Sequence, residues 1–261
     1  MHRCFLLLQA FLERAGLPIS DYVNDTKSVI ENVPRLLAAM QYISEQECST
    51  AGSFEMICQF YRTRQLLETR TKVSDDPMVQ LPGINQDFAQ RLFNECKKDG
   101  TDPLQMLRSL SRNEAVNLIK RVSRGKVGAP IRPILGQLYS FPLVSLEEIN
   151  VIHNVEKSSG KSVGTLKISL KVQRELKEAA KEGSRKALSL TLVLGSWVSR
   201  RLLSLTSIPI SRDGSWTVSK EMYFDWNEAN ADGGEEGGFM MLRVLLDGVR
   251  GLDWEMVVGL Q

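Results

Sequence analysis

The sequence predicts an α+β chain of more than one domain, helical in its first half and built of antiparallel strands in its second. Apolar residues recur at helical spacing as far as Val122, and from Leu166 onward they recur at every second position. Length agrees, because 261 residues exceed what a single domain of roughly 100 to 200 residues commonly uses.

Leu7, Leu8, Phe11 and Leu12 mark a first helix. Val29, Ile30, Val33, Leu36, Leu37, Met40 and Ile43 mark a second, and Met56, Ile57, Phe60, Tyr61, Leu66 and Leu67 a third. Leu17-Pro18 and the Ser49 to Ser53 stretch separate them. Pro34 falls inside the second pattern, where a missing N–H and a bulky ring are expected to kink or break the helix. In the same pattern, Val33, Leu36, Leu37 and Met40 are expected to bury one side, leaving Arg35 to project elsewhere and reach a phosphate or a stacked base. The competing reading of Arg35 is an exposed charge that only solubilises the helix.

Met78 to Val122 alternates short helical patterns with a Leu81-Pro82-Gly83-Ile84 turn, the form of a helix-hairpin-helix. Gly83 can take a positive φ and leave backbone amides open to a phosphate. Asn85 can cap the next helix, with Phe88, Leu92 and Phe93 on one face, and Asp102-Pro103 opens another with Leu104, Leu107 and Leu110. Ser111 and Glu114 have capping-box spacing ahead of Val116, Ile119 and Val122. Lys97 and Lys98 are candidate phosphate contacts. An ordinary helical core in which Pro-Gly is only a turn explains this segment equally well.

A connector carrying Gly125, Gly128, Pro130, Pro133 and Gly136 follows. Leu166 to Val172 and Leu188 to Leu194 then alternate, as do Met222-Phe224-Trp226, Leu242-Val244-Leu246 and Trp254-Met256-Val258-Leu260. Several strands with one apolar face predict a β-sandwich, with Trp226 and Trp254 pointing into its core.

Composition, 43% hydrophobic and 25% charged with a net charge of +2, excludes a disordered tail. Lys97 to Arg132 holds nine basic residues against three acids, whereas Glu221 to Glu255 holds nine acids against two arginines. The opening CFLLLQAFL run is shorter than the roughly 20 apolar residues of a membrane span, so no membrane association is expected. The four cysteines are dispersed, in the manner of reduced thiols, and with His2 and His153 they offer no zinc spacing. Gly160-Lys161-Ser162 resembles the end of a phosphate-binding loop, but Val155 stands where the pattern needs glycine and a strand pattern follows in place of a helix. No catalytic constellation, metal site or cofactor site is expected.

Leu6 to Met40, with its Leu-Gln-Ala, Leu-Pro, Asp-Tyr and Asp-Thr-Lys-Ser-Val elements in order, resembles the Sec sixty-three homology unit of Ski-two-like DExH-box helicases. The likeness continues through Leu81-Pro82-Gly83-Ile84, Phe141-Pro142-Leu143, Leu192-Val193-Leu194-Gly195 and Asp247 to Glu255. Two departures are Pro34, in place of an apolar residue, and Ala187-Leu188, where the family carries aromatics. The resemblance implies a partial helical bundle with a ratchet-like helix over residues 1–75 and a helix-hairpin-helix over 76–125. A connector over 126–139 and an immunoglobulin-like, fibronectin-III-like β-sandwich over 140–261 complete the division. It further implies a non-catalytic accessory unit that guides single-stranded RNA or DNA, with Arg35 on the strand-facing helix and Gly83, Lys97 and Lys98 in the second module. Helicase motor domains, in cis or in trans, and cointegrator-complex-type protein subunits are the implied partners, in nucleus or cytoplasm. Against that family the motor domains have no counterpart here, so the chain is expected to be the end of a larger helicase or the product of a truncated gene model. A pure protein-interaction scaffold is the alternative, and a relative of the endoplasmic-reticulum translocation protein that shares this unit is a more remote one.

Overall fold

A computed structural model describes residues 2–46, 51–96, 102–123, 131–155, 160–176, 188–210, 213–230 and 238–260. Among them are eight α-helices, one 3-10 turn and two antiparallel sheets, an α+β fold. The chain divides into two units: residues 1–43, 59–137 and 248–251 form the first, and residues 44–58, 138–247 and 252–261 the second.

Helices dominate the first unit. Helix α1 spans His2–Leu12 and α2 spans Ser20–Gln46, while α3, Ser53–Thr69, gives its first turns to the second unit and the rest to the first. Helix α2 runs unbroken through Pro34, so the break that proline can cause does not occur. Proline there forfeits only one bond, to the Ile30 carbonyl, and its ring is exposed. The expected apolar burial on α2 is also corrected: Leu37 is buried, but Leu36 and Met40 are 60% and 42% exposed.

A 3-10 turn at Pro77–Gln80 precedes α4 (Gln86–Cys96), α5 (Pro103–Ser109) and α6 (Arg112–Ser123). The expected caps form. Asn85 Oδ1 accepts from the Phe88 amide at 2.9 Å and Asp102 Oδ1 from the Leu104 amide at 2.9 Å. Glu114 accepts from the Ser111 amide at 2.9 Å and the Ser111 hydroxyl accepts from the Glu114 amide at 3.4 Å, which closes the capping box. Those Ser111 bonds hold the Glu114 carboxyl below its ordinary pKa. Leu92, Leu104, Leu107 and Ile119 are fully buried. The connector contains a helix that the sequence reading missed, α7, Ile131–Ser140. Proline is tolerated in a first turn, so Pro133 does not prevent it, and Ile134 and Leu138 are buried.

In the second unit β1 (Leu143–Val155), β2 (Ser162–Arg174) and β5 (Gly214–Asp225) make a sheet of order β1-β2-β5. Strands β3 (Leu188–Ser196), β4 (Leu202–Ile210), β6 (Phe239–Leu246) and β7 (Trp254–Gly259) make one of order β4-β3-β6-β7. Strand β2 begins at Ser162, so a strand follows Gly160-Lys161-Ser162, as its rejection as a phosphate loop required.

Strands β3 and β6 are buried on both faces, beyond the single apolar face read from alternation. On the second face Phe54 of α3 lies so close to Gly195 that a Cβ there would meet its ring at 2.4 Å. Arg243, on the same face, stacks over Phe54 at 5.0 Å and donates to Glu55 and Glu255 at 2.7 Å each. Burial lowers the Arg243 pKa, but hydrogen bonds to Glu55, Cys58 and Glu255 outweigh it and hold the guanidinium above its ordinary value. Trp226 does not continue β5 into the core; it opens a short helix, α8 (Trp226–Asn230), and stacks on His153 with centroids 4.1 Å apart. Trp254 shares the face of buried Val258 but is only half-buried, because β7 is an edge strand.

Candidate nucleic-acid interface

One side of α2 is defined by what it buries. Thr26 and Leu37 are 8% and 9% exposed. At about 100° per residue both lie roughly opposite Arg35, whose side chain is therefore directed to solvent. Ser28 and Tyr42 stand seven residues to either side of Arg35 and fall on the same line of the helix. All three are exposed, Tyr42 to 64%. Arg35 makes no hydrogen bond or ion pair among the described residues. An unpaired guanidinium and, two turns along the same line, an exposed phenol ring can meet a phosphate and stack on a base. Tyr42 was not singled out from sequence, although its seven-residue spacing from Arg35 was readable there.

Beside that line runs a stripe of large apolar side chains. Leu36, Met40 and Ile43, at helical spacing, are 60%, 42% and 57% exposed.

Gly83 occupies the expected turn, is exposed, and has φ of 72°, the left-handed region that glycine enters without strain. Its amide makes no hydrogen bond among the described residues. The 3-10 turn before it is held from several directions. Asp76 accepts from the Met78 amide at 2.8 Å, and Gln80 donates to the Arg250 carbonyl at 2.6 Å and accepts from the Arg250 amide at 3.1 Å. Arg250 also donates to the Val73 carbonyl at 2.7 Å, while burial draws its pKa down against the acids Asp75, Asp76 and Asp102. Gly251 has φ of 83°, and a Cβ there would stand 2.5 Å from Pro77. The Asp247 to Glu255 motif thus has a local structural reason. Its Arg250 and Gly251 fix the backbone that leads into the Gly83 turn.

Arg35 and Gly83 stand on separate elements, and no bond joins them among the described residues. Lys97 and Lys98 lie outside the described residues. No group of His, Cys, Asp and Glu capable of holding a metal ion occurs among the described residues, and no helix there is long and apolar enough to cross a membrane.

The family model of the Sec63 Brl domain matches residues 2–232. The RQC trigger complex helicase SLH1 of Saccharomyces cerevisiae is 39% identical over 82 residues, 31% of this chain and 4% of that protein. Activating signal cointegrator 1 complex subunit 3 of Dictyostelium discoideum is 39% identical over 87 residues, 33% of this chain and 4% of that protein. The chain thus aligns with only a small part of these curated relatives. Among solved structures, the β-glucosidase DesR of Streptomyces venezuelae aligns with 46% of this chain and 15% of its own at 14% identity, with a TM-score of 0.26 that carries no argument about fold.

Proposed function

The chain belongs to the Sec63 Brl domain family, and on that premise we propose that it is a non-catalytic accessory unit of a nucleic-acid helicase that guides single-stranded RNA or DNA. The observation that carries this reading is the exposed line of Ser28, Arg35 and Tyr42 on α2, opposite its buried residues. Arg35 neutralises a phosphate and Tyr42 offers a ring to a base, a pairing that tolerates any sequence. Gly83, through its open amide, and Lys97 and Lys98 add backbone contacts in a second module.

We read the modules as a partial helical bundle over 1–75, a helix-hairpin-helix over 76–125, a connector over 126–139 and a fibronectin-III-like sandwich over 140–261. Support for the sandwich comes from its division into three and four antiparallel strands, with β3, β5 and β6 each in the other sheet from the preceding strand. Helicase motor domains, in cis or in trans, and cointegrator-type subunits are the partners we assign to the unit, in nucleus or cytoplasm. One observation favours the rival reading of a protein-interaction scaffold: the exposed stripe of Leu36, Met40 and Ile43 suits a protein surface better than a phosphate backbone.

Fluorescence anisotropy with labelled single-stranded oligonucleotides separates the two. Tyr42→Ala should weaken binding roughly tenfold, as loss of one base–aromatic stack implies. Arg35→Ala should weaken all sequences alike and lower the salt slope by about one. Binding that is absent in the parent chain, or indifferent to both changes in folded variants, would leave the scaffold reading.

A further inference from the structure

A groove of about 610 Å³ opens in the first unit between α1, α2 and the end of α3. Phe11, Leu17, Val23 and Ile30 give it an apolar lining, and Arg14, Lys27 and Arg70 give it three cations against the single acid Glu31. None of the three cations pairs with an acid among the described residues. Neighbouring acids are already engaged, Glu13 by Lys72 and Asp25 by Arg3.

Both arginines sit where a helix stops. The Ala15 amide bonds to the Ala10 carbonyl at 2.9 Å and the Thr71 amide to the Leu66 carbonyl at 3.1 Å, closures that require a left-handed residue between. Those residues are Arg14 and Arg70, with φ of 54° and 52°. Glycine fills this position without strain, whereas a side chain is held there at a cost. Two helix ends therefore keep a strained arginine, and both arginines line one groove. The Arg70 guanidinium lies 4.2 Å from the Phe11 ring centroid and Arg14 reaches the Arg70 carbonyl at 3.3 Å, so a flat stacking surface adjoins the cations.

We propose that this groove is a nucleotide subsite: it takes one nucleotide of a single strand, the base against the Phe11–Arg70 stack and the apolar lining, the phosphate on Arg14 and Lys27. The inference rests on the strand-guiding reading, since Lys27 and Glu31 lie on the same helix as Arg35, eight and four residues before it. An apolar floor with a cationic rim fits the base and phosphate of a nucleotide, and the guanidinium–ring stack favours a flat base over the aliphatic side chains of an acidic peptide.

The test uses the whole chain with labelled methyl groups at Leu17, Val23 and Ile30, titrated with adenosine monophosphate, inorganic phosphate, a single-stranded decamer and a glutamate-rich peptide. Saturable shifts of these methyls with the nucleotide and the decamer are expected. Arg14→Gly with Arg70→Gly should weaken both by about tenfold or more, and because glycine suits both backbone positions the fold should be retained. If the decamer binds by anisotropy but neither it nor the mononucleotide moves the methyls, the subsite is overturned while the strand-guiding reading stands. If no strand binds at all, that reading fails and the subsite with it. Shifts from the peptide without shifts from the nucleotide, or titrations unchanged in the double variant, also overturn it.

Discussion

Among the described residues, three that are not glycine have a left-handed backbone, and all are arginines: Arg14, Arg70 and Arg200. No sequence pattern announces this, because the reading of helix ends looks for glycine or asparagine there. Arg35 was legible as a projecting charge, and its line with Tyr42 became distinct only once the buried side of α2 was known. Arg243 was illegible for another reason: a lone charge inside an apolar alternation reads as solvent-facing, and its partner Glu55 lies 188 positions away. Truncating it removes two charge-assisted bonds and a ring contact. Arg243→Ala should therefore cost about 2 kcal/mol. That lies below the roughly 3 to 5 kcal/mol of a fully buried pair, because the side chains of Glu55 and Glu255 are 37% and 56% exposed. Urea unfolding measures it. A midpoint equal to the parent's would mean that neither the two carboxylate bonds nor the contact with Phe54 contributes to stability.

At the scale of elements, propensity and capping signals placed α4, α5 and α6 well, since each carries its own cap in its own sequence. They failed for α7, where Pro133 and Gly136 look like a loop although proline's missing N–H costs nothing in a first turn. They also failed at Trp226, where alternation continued on paper while the chain turned into α8. The α5 cap yields a pH-dependent prediction. Burial raises the Asp102 carboxyl above its ordinary 3.8, and the charge of Asp76 adds to this, against the lowering effect of the Leu104 and Gln105 amides and of Arg250. A carboxyl whose folded pKa is raised binds its proton more tightly when folded. Its contribution to stability is therefore greatest below 3.8 and falls as pH rises through the higher folded value. At neutral pH the ionised cap is a net liability that an amide would lack. Asp102→Asn should keep the bond to Leu104 and be at least as stable as the parent at about pH 7, the advantage shrinking toward about pH 4. Asp102→Ala should lose about 1 kcal/mol with the cap itself. Denaturation midpoints for the three proteins across that range decide it, and an asparagine variant less stable at neutral pH would show that the charge strengthens the cap.

For the molecule as a whole, the change from helical period to strand period was legible from residue order alone. The membership of residues 44–58 was not, because it depends on bonds such as that from the Leu202 amide to Ser53, 149 positions away. Phe54, Ile57 and Cys58 have no exposed surface, and Phe54 lies over the face of the four-stranded sheet that Gly195 and Arg243 share. A fragment of residues 138–261 would keep both sheets yet lack that cover. Losing the Phe54 side chain alone is worth roughly 3 to 5 kcal/mol, a large part of the about 5 to 15 kcal/mol by which domains are stable. Its departure would also strand Arg243 without Glu55 and bare an apolar sheet face. The fragment 138–261 should thus aggregate or unfold without a sharp transition, whereas the same fragment preceded by residues 44–58 on a flexible linker should recover a cooperative one. Circular dichroism melts and size-exclusion profiles compare the two. Equal behaviour would mean that the sheet face is satisfied from within residues 138–261, and that the start of α3 only rests upon it.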